Sequence, residues 1–294
     1  MSKLSIITIN KNNCVGLQKT IDSVLSQTWH DFEWIVIDGD STDGSKELIE
    51  KYQKHFTYWC SEPDSGVYPA MNKGLAHAQG EWVNFMNSGD CFADSKTLYQ
   101  VFSQHYEEDI LYGYMMRKSL EGKPMNITFM KKQIHWEDFY FSTIPHQSSF
   151  IRRELFQQLG GYDDSYQIVA DRKWFFNAIA VNGCKTRFVD APFSIYESDG
   201  ISDGGHCKDD FFKLRKELFP DYISEEDYRH LRDIHLIMET TWSRIAYKVI
   251  RKLFRKYSRL TQTRRIRRIK KGCSHRQNRR RDDNHRSLAV YLRK

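Results

Sequence analysis

The sequence predicts an α/β protein built on a mostly parallel sheet, and three observations support this prediction. Four short apolar runs in the first hundred residues each precede a helical pattern, an alternation typical of consecutive βαβ units. Hydrophobic residues make up 40% of the chain and aromatic residues 14%, which is enough for a packed core. A length of 294 residues accommodates one large α/β domain with an extension.

The four βα units follow one another along the chain. The predicted strands are LSIITI (4–9), FEWIVID (32–38), FTYWC (56–60) and EWVNFM (81–86). The predicted helices cover residues 17–26, 45–53, 70–78 and 96–106. Such units wind right-handed and place their helices on both faces of the sheet.

The second hundred residues are less regular. Further strands are predicted at ILYGYMM (110–116), QSSFI (147–151) and TRFVD (186–190). Helices are predicted over 152–159, 171–181 and 209–218; the first ends at Gly160-Gly161 and the last before Pro220, as expected of these helix-stopping residues. Another helical stretch begins near Ser224.

The C-terminal part differs from the rest in charge. From Trp242 onward there are 20 Lys and Arg and 2 acids, giving +18, whereas the first 241 residues carry −11. Between residues 242 and 260 apolar residues recur at helical spacing with basic residues between them, which predicts a basic amphipathic helix. We therefore divide the chain into a main α/β domain (1–220), C-terminal helices (221–260) and a basic, disordered tail (261–294).

The cysteines and the apolar runs indicate the compartment. The six cysteines form no C-x-x-C pair, so buried thiols in a reducing cytoplasm are expected. No apolar run reaches the ~18 residues of a membrane-spanning helix. The residues after Lys3 have the alternating pattern of a strand, which differs from the apolar segment of a signal peptide. The sequence predicts a soluble, cytoplasmic protein.

Acidic and amide side chains follow the predicted strands. In a parallel sheet, ligands bind outside the carboxyl ends of the strands, and these ends carry Asn10-Lys11, Asp38-Gly39-Asp40, Glu62-Pro63-Asp64 and Asn87-Ser88-Gly89-Asp90. Neither G-x-G-x-x-G nor G-x-x-x-x-G-K-[ST] occurs, so a phosphate ligand would need a cation as its counter-charge. Clustered hard oxygen ligands favour Mg²⁺ or Mn²⁺. The plainer alternative is that these acids only cap helices and shape turns.

The stretch "IDGDST" has a second interpretation. A hydrophobic strand followed by D-x-D-x-T resembles the nucleophile motif of the haloacid dehalogenase-like hydrolases, in which Asp38 would attack and Asp40 would act as the acid. That motif normally follows the first strand, but here a complete βα unit precedes it. A non-catalytic protein that binds membrane or nucleic acid through the basic tail is a third interpretation.

Three ordered blocks resemble a known family. They are "SIITINKNNCVGLQKTIDSVLSQTWHDFEWIVIDGDSTDGS", "SEPDSGVYPAMNKGLAHAQGEWVNFMNSGD" and "PHQSSFIRRELFQQLGGYDDSYQIVADRKWF". In order and spacing they resemble the family 2 glycosyltransferases of the GT-A fold, within them a bacterial subgroup that makes O-antigen and other surface polysaccharides. The resemblance covers roughly residues 3 to 200. It implies a Rossmann-like sheet and a metal-dependent, inverting transfer from a nucleotide-diphosphate sugar, with UDP as the expected nucleotide, to a saccharide hydroxyl.

The resemblance also implies roles for single residues. Asp171 takes the place of the catalytic base, and Asp90 that of the Mn²⁺ or Mg²⁺ ligand, although Asn87 and Gly89 stand where acids are more usual. Contacts to acceptor or diphosphate are expected from His146 and Trp136, each with core packing as the alternative. The implied donor-binding residues are Thr8, Asn10, Asp38, Asp64, Asn72 and Lys73, with Asp38 accepting a base N–H.

The basic helix suits an anionic membrane surface. A transferase that extends a lipid-linked acceptor would work at the inner face of the cytoplasmic membrane, which is the expected location. Packing of the helix on the catalytic domain or on a partner protein is the alternative. No specific nucleic-acid binding is expected, since the body is acidic and no recognition module is evident.

Overall fold

The computed structural model describes residues 2–118, 126–128, 131–140, 142–197 and 208–218. Within these residues nine strands form one sheet in the order β3-β2-β1-β4-β8-β6-β9-β5, with β7 paired to β6. The strands are β1 (Leu4–Asn10), β2 (Phe32–Asp38), β3 (Tyr58–Ser61), β4 (Trp82–Phe85), β5 (Cys91–Phe92), β6 (Ile110–Lys118), β7 (Asn126–Thr128), β8 (Ser149–Arg152) and β9 (Thr186–Glu197).

Seven α-helices accompany the sheet in this part of the chain. They are α1 (Cys14–Leu25), α2 (Ser45–Tyr52), α3 (Val67–His77), α4 (Thr97–Phe102), α5 (Arg153–Leu159), α6 (Ala170–Phe175) and α7 (Lys208–Leu218). A π-helical segment, Phe176–Val181, continues α6. Short 3-10 helices occur at Gln53–His55, Trp136–Tyr140 and His146–Ser148.

The first four strands form the parallel half of the sheet. β1 pairs in parallel with both β2 and β4, and β2 pairs in parallel with β3. The four predicted βα units are thereby confirmed. Their strands read as continuous apolar runs because β1 and β4 are buried along their whole length, as expected for parallel strands covered on both faces.

The second half of the sheet is mixed. β8 lies between β4 and β6 and is antiparallel to both. β9 runs parallel to β6, with an irregular register between Tyr112 and Met115, and β5 is antiparallel to β9. The strand predicted at 186–190 extends to Glu197, and β5 and β7 are strands that the sequence did not predict. The sheet is mostly parallel, with antiparallel pairs in this half.

Helices cover the two faces of the parallel half. One face carries an apolar cluster in which Leu17 of α1 packs with Ile6 and Trp34. On the other face α3 lies so close to the sheet that a Cβ at Gly74 would come 2.5 Å from Cγ2 of Ile7. This close approach explains a glycine inside a helix, where it otherwise costs about 1 kcal/mol relative to alanine.

The C-terminal predictions lie outside the described residues, from 219 onward. The proposed boundaries at 220 and 260 and the basic amphipathic helix therefore stay predictions. Among the residues that the structure describes, no helix combines the length and the apolar character needed to cross a membrane.

Candidate functional site

Four of the predicted turns lie side by side. Because β3, β2, β1 and β4 are adjacent and parallel, their carboxyl ends meet at one edge of the sheet. In the register of the strands Asn10 is opposite Asp38, and Asp38 is opposite Ser61. The expectation that the strand-end acids share an edge is confirmed, and this edge is the candidate site.

Asp38 is fully buried at the centre of this edge. Its carboxylate accepts hydrogen bonds from Ser41 N at 3.0 Å, Ser41 Oγ at 2.6 Å, Ser61 Oγ at 2.6 Å and Asn10 Nδ2 at 2.7 Å. Burial alone would raise the pKa of Asp38, but these donors outweigh it and hold the pKa below its ordinary value.

These bonds bear on both interpretations of Asp38, as a nucleophile and as the acceptor of a base N–H. A buried carboxylate that already accepts four hydrogen bonds has no exposed lone pair with which to attack a phosphoryl group. A nucleobase N–H would have to displace one of these donors to reach Asp38, and the expected contact between Asp38 and a base stays a prediction. The neighbouring amide differs, since Asn10 Oδ1 is buried without a hydrogen-bond partner and keeps an unused acceptor.

Two expected donor-binding residues make framework contacts. Thr8 is fully buried, and its hydroxyl accepts a hydrogen bond from Trp34 Nε1 at 3.0 Å. Asn72 donates from Nδ2 to the carbonyl of Tyr162 and accepts at Oδ1 from the backbone N–H of Tyr162, both at 2.8 Å. Thr8 therefore joins β1 to β2, and Asn72 joins α3 to the turn after α5. The donor contacts expected for these two residues stay predictions.

The turn after β3 brings a carboxylate against the backbone of the neighbouring turn. A Cβ at Gly39 would lie 2.4 Å from Asp64 Oδ2, so only glycine admits this approach. The other oxygen, Oδ1, accepts from Gly66 N at 3.1 Å and lies 3.9 Å from Lys11 Nζ. Lys73, on α3, donates to Glu62 at 2.7 Å.

Asp90 lies in a tight turn after β4. The positive φ of Gly89, 101°, allows the turn, and Thr20 of α1 holds it by donating to the backbone carbonyl of Asp90 at 2.8 Å. The Asp90 side chain is only 7% exposed. Burial raises its pKa to about 7, and the nearby His146 only partly opposes this effect. Asp90 is thus the buried carboxylate at this edge whose charge is least compensated.

The turn fits a divalent cation in its charge and in its donor atoms. Asn87 Oδ1 is buried without a hydrogen-bond partner, and it belongs to the same turn as Asp90. Among the described residues no group of three or more His, Cys, Asp and Glu side chains is arranged to hold a metal. One carboxylate and one amide oxygen are what this turn offers, so ligand oxygens and water would have to supply the rest of a cation's shell.

Asp171 lies in the first turn of α6 and is buried, with 8% exposure. Its Oδ1 accepts from Arg172 N at 2.7 Å and lies 3.2 Å from the Tyr68 hydroxyl. Its Oδ2 lies 3.5 Å from His146 Nδ1. The two carboxyl oxygens therefore differ. A backbone N–H donates to Oδ1, and the Tyr68 hydroxyl, which donates to the Ile168 carbonyl, lies beside it; Oδ2 faces the histidine.

His146 connects the turn of Asp90 to Asp171. Its second ring nitrogen, Nε2, lies 3.2 Å from Asn87 Nδ2. Trp136, the other expected acceptor contact, begins a 3-10 helix and is partly exposed, whereas Phe139 in the same helix is buried and packs edge-on against Phe176. Phe139 thus belongs to the core, whereas Trp136 keeps a partly exposed face.

Comparison with known proteins places the chain in a family. The family model "Glycosyl transferase family 2" matches residues 5–160. An uncharacterized glycosyltransferase of Mycobacterium tuberculosis H37Rv is 33% identical over 210 residues, which cover 69% of this chain and 77% of that protein. The putative teichuronic acid biosynthesis glycosyltransferase TuaG of Bacillus subtilis is 36% identical over 98 residues, 32% of this chain and 38% of TuaG.

Two solved structures share the fold at low sequence identity. S. aureus TarS 1-349 in complex with UDP-GlcNAc has a TM-score of 0.55 and 19% identity, over 80% of this chain and 65% of that one. The mannosyltransferase PcManGT of Pyrobaculum calidifontis, in complex with GDP-Man and Mn²⁺, has a TM-score of 0.55 and 15% identity, over 91% and 83%. The match spans less than two thirds of the TarS chain. The hydrolase and non-catalytic interpretations are set aside, because the chain belongs to glycosyl transferase family 2 and is a glycosyltransferase.

Proposed function

We propose that this glycosyltransferase moves a sugar, with inversion, from a nucleotide-diphosphate sugar to a saccharide hydroxyl. One observation carries the proposal: the buried, weakly compensated Asp90 and the carboxyl group of Asp171 are linked at one sheet edge through His146 and Asn87. A site for departing negative charge and a site for a proton are what such a displacement requires.

In the proposed reaction Asp171 is the general base. The acceptor oxygen attacks the anomeric carbon while Asp171 takes the hydroxyl proton. The bond from that carbon to the diphosphate oxygen breaks, and its electron pair leaves with the nucleoside diphosphate. Oδ2 is the oxygen suited to receive the proton, because Oδ1 already accepts a backbone hydrogen bond. No glycosyl-enzyme forms, so no aspartate needs to act as a nucleophile.

Asp90 and Asn87 would hold a divalent cation, Mn²⁺ or Mg²⁺. Such an ion supplies positive charge to the leaving diphosphate. The uncompensated charge of Asp90 and the unpartnered Asn87 Oδ1 support this role, and the complex of the fold neighbour PcManGT contains Mn²⁺.

We place the nucleoside of the donor against the ends of β1, β2 and β3. Asn10 offers an acceptor without a hydrogen-bond partner there, and Asp38 holds Asn10 and Ser41 in place. Asp64 and Lys73 border the turn after β3. UDP is the proposed nucleotide, in keeping with the UDP-GlcNAc complex of TarS. Trp136 is proposed to stack on an acceptor sugar.

The proposed setting is the synthesis of a bacterial surface polysaccharide, of the O-antigen type or a similar one. The likeness to TuaG, whose name refers to teichuronic acid biosynthesis, supports this class. A lipid-linked acceptor is proposed because residues 242–260 have the composition of a helix that binds an anionic membrane surface. The enzyme would then work at the inner face of the cytoplasmic membrane.

Thermal unfolding of the purified chain tests the donor assignment. UDP, GDP, dTDP and CDP, and UDP-GlcNAc and GDP-mannose, are added with and without Mn²⁺. A ligand at 100 times its dissociation constant adds about 2.7 kcal/mol to the free energy of unfolding, a shift of several degrees. We expect one nucleotide to raise the unfolding temperature, and only when Mn²⁺ is present. This shift should be absent in Asp90→Asn. It should persist in the control Asp40→Asn, since Asp40 is exposed. A wild-type chain that no nucleotide stabilises would contradict the proposal.

A further inference from the structure

His146 sits on a firmly held backbone turn. Ser149 Oγ donates to the carbonyl of His146 at 2.9 Å, and Asn84 Nδ2 of β4 donates to the carbonyl of Ser149 at 2.9 Å. The hydroxyls of Ser148 and Ser194 are hydrogen-bonded to each other and are fully buried. This turn is therefore fixed to β4 and β9, and the imidazole is presented from a rigid support.

The two neighbours of the ring determine its tautomer. Asn87 Nδ2 is a donor, so Nε2 at 3.2 Å must be unprotonated to accept from it. The proton of a neutral ring is then on Nδ1, which faces Asp171 Oδ2 at 3.5 Å. The same orientation of Asn87 leaves its Oδ1 directed away from His146 and without a partner.

Asp171 is thereby held from two sides. The N–H of Arg172 donates to Oδ1, and the hydroxyl of the buried Tyr68, which donates to the Ile168 carbonyl, lies 3.2 Å from the same oxygen. His146 Nδ1–H faces Oδ2. A carboxylate accepts more than one hydrogen bond on each oxygen, so Oδ2 keeps a free lone pair. The histidine would fix the direction of that lone pair without occupying it.

We propose that His146 is a positioning residue that donates from Nδ1 to Asp171 Oδ2 and is itself oriented by Asn87. This inference rests on the proposed function, in which Asp171 is the base. It differs from a direct contact of His146 with acceptor or diphosphate, because His146 acts through Asp171 and contributes nothing to donor affinity.

Two conservative substitutions distinguish the role of Nδ1 from that of Nε2. His146→Asn places an amide N–H near the position of Nδ1, whereas His146→Gln places its amide near Nε2. We measure release of nucleotide from UDP-GlcNAc or GDP-mannose with water as acceptor, and binding of UDP or GDP. We expect kcat of His146→Gln to be about 10- to 100-fold below that of the wild type, as for residues that orient a reactive partner. We expect kcat of His146→Asn to be about tenfold higher than that of His146→Gln. The KM for donor and the nucleotide dissociation constant stay within about twofold of wild type.

A second measurement does not depend on the donor. Long-range ¹⁵N–¹H spectra of histidine-labelled protein, recorded near pH 8, report which ring nitrogen carries the proton. We expect His146 to be protonated at Nδ1, and we expect Asn87→Ala to weaken this preference. His30, which is exposed and precedes the amino end of β2, is the internal control.

The outcomes are distinct from those of the proposed function. An Nε2-protonated His146 in the wild-type chain would overturn the inference even if donor binds normally. So would equal losses of kcat in both variants, or a loss confined to KM or nucleotide affinity, which would indicate direct contact with a substrate. Failure of every nucleotide to bind the wild type would instead overturn the proposed function, while the spectra would still decide on the tautomer.

Discussion

At the scale of single residues, two buried aspartates at the same sheet edge are shifted in opposite directions. Asp38 has a lowered pKa because Ser41, Ser61 and Asn10 donate to it, outweighing its burial. Asp90 has a pKa raised to about 7 because burial is opposed only by His146. The difference lies in the number of hydrogen-bond donors, of which Asp38 has four. The uncompensated charge of Asp90 supports the proposal that a cation binds there.

Asp90→Asn should stabilise the metal-free protein at high pH. A carboxyl group whose folded pKa is raised from 3.8 to about 7 favours folding when it is neutral, and that stability is lost as the pH rises towards 7. The substitution removes this cost, so the free energy of unfolding should increase by up to about 4 kcal/mol near pH 8 and by little below pH 4. Urea unfolding at several pH values without divalent ions measures it; a pH-independent effect would contradict the raised pKa.

Asp38→Asn should destabilise the protein. The asparagine would turn an N–H₂ group towards donors that now serve both oxygens, so we expect a loss of about 2–4 kcal/mol, as for a broken buried hydrogen-bond network. Asp40→Asn is the matched control, because Asp40 is exposed and has a left-handed φ of 61° that asparagine accepts readily. Equal free energies of unfolding for the two variants would show that the Asp38 bonds contribute little.

The sequence predicts the strand-end acids but not their partners. A hydrophobic run ending in Asp38 or before Asp90 is visible in the chain, and parallel pairing then determines which turns are neighbours. His146 contacts Asn87, 59 residues away, and Asp171, 25 residues away, and no local pattern reports such contacts. Asn72 and Thr8 lie in the blocks that resemble the family, but the sequence does not reveal their internal contacts. Asn72 is hydrogen-bonded to the backbone of Tyr162, and Thr8 to the side chain of Trp34.

At the scale of elements, local periodicity predicts the parallel half well and the mixed half less well. β1 to β4 each combine an apolar run with a following helix. β5 has only two residues, Cys91 and Phe92, and forms a strand because β9 pairs with it. β9 itself continues through Asp190 and Pro192, residues that discourage strands by propensity, so tertiary pairing extends it beyond the predicted end.

Gly74→Ala should loosen the contact between α3 and β1. Alanine favours the helix by about 1 kcal/mol, but its Cβ would lie 2.5 Å from Ile7 Cγ2. Overpacking of this kind costs about 1–3 kcal/mol, so a net loss of stability is expected. Thermal unfolding measures this loss.

A double-mutant cycle with Ile7→Ala tests the cause of the Gly74→Ala loss. Ile7→Ala removes the conflicting methyl group, so the double variant should be more stable than the sum of the single changes by about 1 kcal/mol or more. The control pairs Gly74→Ala with Ile6→Ala, because consecutive strand residues point to opposite faces. That pair should be additive, and coupling of equal size in both pairs would contradict a local clash.

At the scale of the whole molecule, charge divides the chain. The first 241 residues carry −11 and the remaining residues +18. An acidic catalytic body would be repelled by an anionic membrane at distances up to about a Debye length, and a basic segment is a physical means of overcoming this repulsion. This charge asymmetry is evident from the sequence alone.

Binding to anionic vesicles should depend on residues 242–260 of the full chain. Each basic residue near such a surface contributes about 1 kcal/mol, so changing Arg251, Lys252 and Arg255 to glutamine should weaken binding by about 100-fold. Co-sedimentation with phosphatidylserine vesicles, repeated at rising salt, measures the effect. The control changes the exposed Lys46, Lys51 and Lys54 of the catalytic body to glutamine, which alters the net charge equally. Equal weakening by both triple variants would attribute binding to overall charge, and binding that salt does not reduce would exclude the electrostatic surface contact proposed for this segment.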